Sequence, residues 1–393
     1  MQSRTSRYEY SDIRKRENDI LSKYNHSSGY SDFPHTINLT VNNRCAFKCL
    51  HCDIGVVNAS KDEKSIDKFY YSSRYRKFKD YALFPFERLT ELIDEVEFFS
   101  PTIRTTFVEP LMYPKILDLI EYTKKKGLKF YTLTNGWKIE KFYENLVDLN
   151  LDLIRISIDG TEKVHDHVRG IKGSYKKCIH GIQKLIEYKL KKNKKNPIIG
   201  ICYTLSDHTY LDIHNFLTEL KRIDVLPYVY VNFNHLQYTV PWEIEETLEE
   251  NKSFTHMRKC SVEKIQFPKI NPKRLGNLIK KIHKDFKDDS FHFYFSPYLI
   301  NKDLEDYYNP EKRMFFRTEC NSPLYTTQIE INGDVGAWGH CILPSIGNIM
   351  KNNFIDVWNS EIAKKIRMDL KEIGSYSACN KCLGTLYPLR GRR

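Results

Sequence analysis

The sequence predicts an α/β fold: an open barrel of six β/α units, followed by a small cysteine-bearing C-terminal domain. Three observations predict it. Between residues 36 and 233, strand-like runs and helix-spaced runs take turns six times, a rhythm that calls for a parallel sheet with right-handed crossovers. Six units in about two hundred residues suit an open barrel better than a closed eightfold one. From residue 316 the chain changes character and carries four of its ten cysteines.

Residues 1–34 are polar and charged and read as an N-terminal extension, too short for an independent peptide-recognition domain. The barrel, residues 35–233, opens with a strand over Thr36–Asn42 that runs into a cysteine loop. Residues 53–85, rich in Ser, Lys and Tyr, read as an insertion beside the site. Phe86–Phe99 has helical spacing through Leu89, Leu92, Ile93 and Val96, and Ile103–Val108 is a strand. Pro114–Gly127 is a helix with Pro at its start and Gly at its end. Strands are expected at Leu128–Leu133, Leu151–Ile158, Pro197–Leu205 and Pro227–Phe233, and helices at Ile139–Leu149, Ser174–Leu190 and Tyr210–Lys221. Residues 234–315 form a bridging segment with a helix near 273–285 and a strand and a helix covering the barrel. In 316–393 a hairpin is expected through Ile329–Asp334, turning at Asn332-Gly333.

Composition excludes several classes. No run of 18 apolar residues spans a membrane, and the polar N-terminus lacks a signal-peptide core. The expected setting is cytoplasmic, where cysteines serve as metal or redox ligands rather than disulfides. The net charge of +12 is concentrated in lysines on helix faces and in the loop 191–196, as on a solvated surface; attraction for an acidic or phosphorylated substrate is the alternative. No nucleic-acid motif of interleaved aromatics and arginines is present.

The stretch Cys45-Ala-Phe-Lys-Cys49-Leu-His-Cys52 is a C-x3-C-x2-C at a strand end. Three thiolates cannot complete a four-coordinate metal, but they hold three irons of a 4Fe–4S cluster and leave the fourth open. Zinc ligation or ordinary buried thiols are the competing readings of this spacing alone. The stretch resembles the cluster loop of the radical SAM (S-adenosylmethionine) superfamily, where the open iron is chelated by the amino and carboxylate groups of SAM. There an aromatic residue near the adenine commonly precedes the last cysteine; His51 stands in that place.

Other strand ends carry the same resemblance. Phe107-Val108-Glu109-Pro110 follows strand two, where the family has Gly-Gly-Glu-Pro; Glu109 survives and the glycines do not. Thr134-Asn135-Gly136 matches the family's Thr-Asn-Gly. Arg155-Ile-Ser157-Ile-Asp159-Gly160 ends strand four, and in similar enzymes the Ser and Asp reach the SAM ribose and carboxylate. Alternation puts Ser157 and Asp159 on one face, into the barrel. Arg169, in the stretch that follows, is positioned to meet a carboxylate or to form a surface salt bridge. Radical SAM enzymes have a partial (β/α)6 TIM-like barrel, as the periodicity expects. The resemblance implies 4Fe–4S and SAM as cofactors, with reductive cleavage to a 5′-deoxyadenosyl radical that abstracts a hydrogen atom.

Cys320, Cys341, Cys379 and Cys382, with a Gly-x4-Cys and a C-x2-C, resemble the start of a SPASM domain. No further cysteine follows, as in the shortened twitch version that holds one auxiliary 4Fe–4S cluster; a structural zinc site is the alternative. The resemblance implies a radical SAM oxidoreductase or maturase and an external one-electron reductant such as flavodoxin or ferredoxin. The substrate reading leans to oxidation or rearrangement of a small molecule or carbohydrate unit. Alternatives are a peptide or protein maturase, an RNA-modifying enzyme, and a non-catalytic zinc-binding module. Cys178 reads as core, and of Cys202 and Tyr203 at most one faces the barrel.

Overall fold

A computed structural model describes residues 28–52, 54–55, 59, 82–250, 268–287, 292–314, 320–336, 341 and 343–382. Seven strands of the barrel follow in chain order: β1 (Thr36–Leu39), β2 (Thr102–Thr105), β3 (Lys129–Thr134), β4 (Leu153–Ser157), β5 (Ile198–Leu205), β6 (Tyr230–His235) and β7 (His292–Ser296). Each pairs in parallel with the next. Three more belong to the C-terminal part: β8 (Thr326–Ile329), β9 (Asp334–Gly336) and β10 (Gly347–Asn348). They form one ten-stranded sheet ordered β10-β9-β8-β1-β2-β3-β4-β5-β6-β7.

The helices are α1 (Phe86–Val96), α2 (Ile116–Lys125), α3 (Ile139–Asp148), α4 (Glu162–Arg169), α5 (Ser174–Lys191), α6 (Ile213–Arg222), α7 (Pro241–Glu250), α8 (Pro272–Asp285), α9 (Lys302–Tyr307), α10 (Ser322–Tyr325), α11 (Phe354–Trp358) and α12 (Glu361–Ile373). The spacing read from the sequence does place the buried face. Leu89, Leu92, Ile93 and Val96 of α1 and Ile213, Phe216, Leu217 and Leu220 of α6 are buried. They meet the outward residues of the strands, such as Ile37, Ile103, Phe130, Ile154 and Val231, all fully buried. Each such side chain contributes about 1.5–3 kcal/mol on leaving water. Among the described residues, no helix is long and apolar enough to cross a membrane.

Three features differ from the sequence expectation. The aromatic segment at 292–296 does not cover the barrel; it is a seventh parallel strand, paired to β6 from Tyr230↔His292 to Asn234↔Ser296. Its outward Phe293 and Phe295 pack on Phe233 and His283, while His292 and Tyr294 are also aromatic. With aromatics on both faces, no apolar–polar alternation is readable. The expected hairpin forms as β8 and β9, but β8 also pairs in parallel with β1, extending the barrel sheet. Asn38 strengthens that joint, donating to Thr326 Oγ1 at 3.2 Å and the Thr327 carbonyl at 2.9 Å. Helix α4 was not expected as a helix, because its buried residues are His165, Val168 and Arg169 and it has no apolar stripe. The N-terminal extension up to residue 27, most of the insertion at 53–85, and Cys260 lie outside the described residues.

Candidate active site

The cluster loop is held at the C-terminal ends of the strands by backbone chemistry. Asn42 turns the chain: its Oδ1 accepts the Arg44 N–H at 2.8 Å and its Nδ2 donates to the Glu109 carbonyl at 2.9 Å. The last carbonyls of a helix have no partner of their own. In α4, the Val168 and Arg169 carbonyls accept the Leu50 and Lys48 N–H groups at 2.9 and 3.1 Å. Gly170 ends α4 at φ 69°, as a left-handed helix stop requires. A Cβ there would stand 2.9 Å from the Lys48 carbonyl oxygen. At Gly55 a Cβ would collide with the Cys49 backbone, so the chain leaving the loop crosses over Cys49 only as glycine. Phe47 is buried edge-on against Trp137, with ring centroids 6.0 Å apart.

Two thiols receive side-chain donors. Asn135 Nδ2 lies 3.7 Å from Cys45 Sγ, and Arg169 Nη1 lies 3.7 Å from Cys49 Sγ. Asn135 is fixed in turn, its Oδ1 accepting from Trp137 N and its carbonyl from Cys178 Sγ. Cys178 is thus core, as expected, and closes over Gly136, where a Cβ would stand 2.6 Å from its sulfur. Burial pushes the Cys45 thiol up to about 12 and raises Cys49, which Arg169 pulls back. An iron ligated there deprotonates such thiols outright.

Asp159 joins these parts. It is fully buried; its Oδ1 accepts the Thr204 N–H at 2.8 Å, and its Oδ2 meets Arg169 Nη2 at 2.6 Å and stands 3.7 Å from His51 Nε2. Burial pushes its carboxyl up, but Arg169, His51 and the Thr204 N–H outweigh that and hold it below the ordinary value. His165, to which the sequence assigned no role in the site, takes the Asp159 N–H on Nδ1 at 3.2 Å. Arg169 is therefore not in a surface salt bridge: the pair is buried inside the barrel mouth. His51 Nδ1 and Arg169 Nε are buried without a hydrogen-bond partner. Ser157 is half-buried on the inward face of β4, in register with Cys202.

Glu109 is occupied by the fold. Its carboxylate accepts from Leu111 N at 3.1 Å, Thr134 Oγ1 at 2.7 Å and Asn135 N at 2.7 Å, tying the end of β2 to the end of β3. Before it, Phe107 and Val108 hold φ of 62° and 48°. The left-handed conformation that glycine supplies without cost is kept here by two residues that pay for it, one of them β-branched.

In the C-terminal part, Cys379 is buried and Cys320, Cys341 and Cys382 are half-buried, all four against the apolar core. Cys382 N donates to the Cys379 carbonyl at 3.1 Å, and Cys320 N to the Gly374 carbonyl at 2.8 Å. Asn380, between the C-x2-C cysteines, donates to Glu243 Oε1 at 2.7 Å and accepts Met314 N at 2.6 Å. Glu250 and Thr247 bind Ser377 and Ala378, so α7 of the bridging segment cradles this loop. Among the described residues, no group of three or more Cys, His, Asp and Glu is gathered at metal-holding distance.

The residues at the barrel mouth fit an iron–sulfur cluster and its ligand in kind. Three thiols stand on one loop, two of them facing N–H donors, beside the buried His51 Nδ1 and Arg169 Nε that have no hydrogen-bond partner. Asn42, His165 and the two loop glycines had no assigned site role in the sequence, because each acts through a backbone contact that spacing does not show. Asn42 alone had a signal, as a polar residue ending an alternating strand.

Comparison with known proteins agrees. The profile of the Radical SAM superfamily matches residues 39–217, and that of the iron–sulfur cluster-binding SPASM domain matches residues 320–383. The chain is similar to an Fe-coproporphyrin III synthase of Methanosarcina barkeri, 27% identical over 201 residues that make up 50% of this chain and 42% of that protein. It is also similar to AlbA, an antilisterial bacteriocin subtilosin biosynthesis protein of Bacillus subtilis, 24% identical over 209 residues, 52% of this chain and 41% of that one. It thus spans less than half the length of these two relatives. In fold it resembles Streptococcus suis SuiB bound to S-adenosylmethionine, with a TM-score of 0.59 and 14% identity over 94% of this chain and 78% of that one. It also resembles anSMEcpe with bound AdoMet and Cp18Cys peptide, with a TM-score of 0.56 and 16% identity over 89% and 86%. Residues 39–217 form a domain of the radical SAM superfamily, which binds a 4Fe–4S cluster and S-adenosylmethionine, and residues 320–383 form an iron–sulfur cluster-binding SPASM domain.

Proposed function

We propose that this protein is a radical SAM enzyme acting on a peptide. Cys45, Cys49 and Cys52 would hold a 4Fe–4S cluster, which together with SAM would supply the chemistry of radical hydrogen-atom abstraction from the substrate. The observation that carries the reading is the loop of three thiols locked to α4, with Arg169 and Asn135 directed at two sulfurs. Asp159 orients Arg169 and His51, and the unpartnered nitrogens of those two side chains are the groups offered to SAM. Asn135, Ser157 and the Glu109 segment complete the wall, Glu109 acting by tying two strand ends together. Cys320, Cys341, Cys379 and Cys382 would hold the auxiliary cluster, with α7 supporting the C-x2-C loop.

The peptide reading replaces the expected lean to a small molecule or carbohydrate. It is supported by the bacteriocin-biosynthesis relative and by the fold shared with proteins crystallised with peptides. The electron comes from an external one-electron donor such as flavodoxin or ferredoxin. The test is anaerobic reconstitution, with iron counted and 5′-deoxyadenosine measured after SAM and dithionite are added. The proposal expects iron at both sites and SAM cleavage lost in Cys45→Ala. Zinc in place of iron, or cleavage unchanged in Cys45→Ala, would sink it.

A further inference from the structure

Strands of a parallel sheet covered on both faces usually read as continuous apolar runs. Here the inward residues are polar and aromatic. Arg104 on β2 and Arg155 on β4 point into the lumen, since their neighbours Ile103, Thr105, Ile154 and Ile156 are buried on the other face. Arg155 is in register with Gly200 on β5, and Gly200 with Tyr230 on β6. A Cβ on Gly200 would stand 2.5 Å from the Tyr230 hydroxyl and collide with its ring. Glycine lets that ring lean across β5 and accept a hydrogen bond from Arg155 Nε at 2.8 Å. Tyr294 on β7 stacks with Tyr230, centroids 6.1 Å apart and planes 20° from parallel. The guanidinium plane is therefore set by a built platform. Both arginines act on the Cys202 thiol, opposing the effect of its burial, and Cys202 neighbours Ser157. Asp159 and Arg169 act on the same thiol, so the cationic wall and the barrel-mouth site share Cys202 as a neighbour.

Other walls of the lumen carry acceptors that no donor reaches. Asn38 Oδ1 and Gln328 Oε1, paired in register across β1 and β8, are buried without a hydrogen-bond partner. Asn232 Oδ1 on β6 is in the same state. A buried acceptor is stable when an N–H reaches it.

We propose that this lumen binds a peptide segment bearing a carboxylate side chain, which Arg155 takes while Asn38, Gln328 and Asn232 accept N–H groups of the segment. This rests on the peptide reading above and names its substrate class as acidic. The probes are N-acetyl-glutamate N-methylamide and its glutamine counterpart, titrated calorimetrically into the anaerobic holoenzyme. The glutamate probe should bind at least about tenfold tighter, the worth of a hydrogen-bonded charge. Arg155→Gln should erase the difference and Arg155→Lys retain part of it. Gly200→Ala, by displacing Tyr230, should weaken the glutamate probe selectively. Equal affinity for the two probes, binding of neither, a preference untouched by Arg155→Gln, or tighter binding of inorganic phosphate overturns the proposal. Substrate-free release of 5′-deoxyadenosine from the same preparation reports separately whether the radical SAM reading stands.

Discussion

Removing the Asp159 charge should destabilise the barrel mouth more than a single hydrogen bond can explain. Asp159→Asn keeps the size of the side chain and an acceptor for the Thr204 N–H. It replaces the oxygen 2.6 Å from Arg169 with either a donor or a neutral acceptor. The side chains are 9% and 0% exposed, so water does not make up the loss. An unpaired buried charge costs about 3–5 kcal/mol, and that is the destabilisation expected from denaturant unfolding of the apoprotein. Arg169→Met, which leaves the carboxylate unpaired, should cost a similar amount. The double variant should fall short of the sum by about 2 kcal/mol or more, because neither charge is then stranded. Additive effects, or single variants within about 0.5 kcal/mol of wild type, would refute the reasoning. The pH dependence has a definite sign. Because the folded pKa of Asp159 is depressed, its stabilisation is fully present above the unfolded value near 4 and is lost as pH falls through the folded value. The Asp159→Asn variant should therefore lose less stability than wild type on acidification below about pH 4.

Three further outcomes follow from the geometry. Gly170→Ala should cost about 2–3 kcal/mol in thermal unfolding, from a left-handed alanine and weakened loop bonds to Lys48 and Leu50, and should lower iron retention on gel filtration. Val108→Gly should stay within about 1 kcal/mol of wild type, since relief of its left-handed strain offsets the lost side chain; Val231→Gly, on a buried strand, should cost several times more, and equal costs would remove the strain argument. Asn380→Ala strands Glu243 and should cost about 1–3 kcal/mol, with iron loss confined to the C-terminal site in a Cys45→Ala/Cys49→Ala/Cys52→Ala background.

Helices α1, α2, α3, α5, α6 and α8 and the first six strands were readable because their apolar residues repeat at one period and face one way, as Leu89–Val96 of α1 shows. The candidate cluster cysteines were readable because their spacing is local, three thiols within eight residues. Those two kinds of information are carried by neighbours in the chain. The tertiary structure decided what depends on distant partners. It placed β7 in the sheet and β8 against β1, pairings set by backbone bonds between segments far apart in sequence. It showed Glu109 tying the ends of β2 and β3, and turned Arg169 from an ambiguous surface charge into the buried partner of Asp159. It also revealed Gly55, Gly170 and Gly200, whose value lies in a side chain they lack. A glycine is written the same way wherever it stands, and only the approach of another segment shows why nothing larger fits.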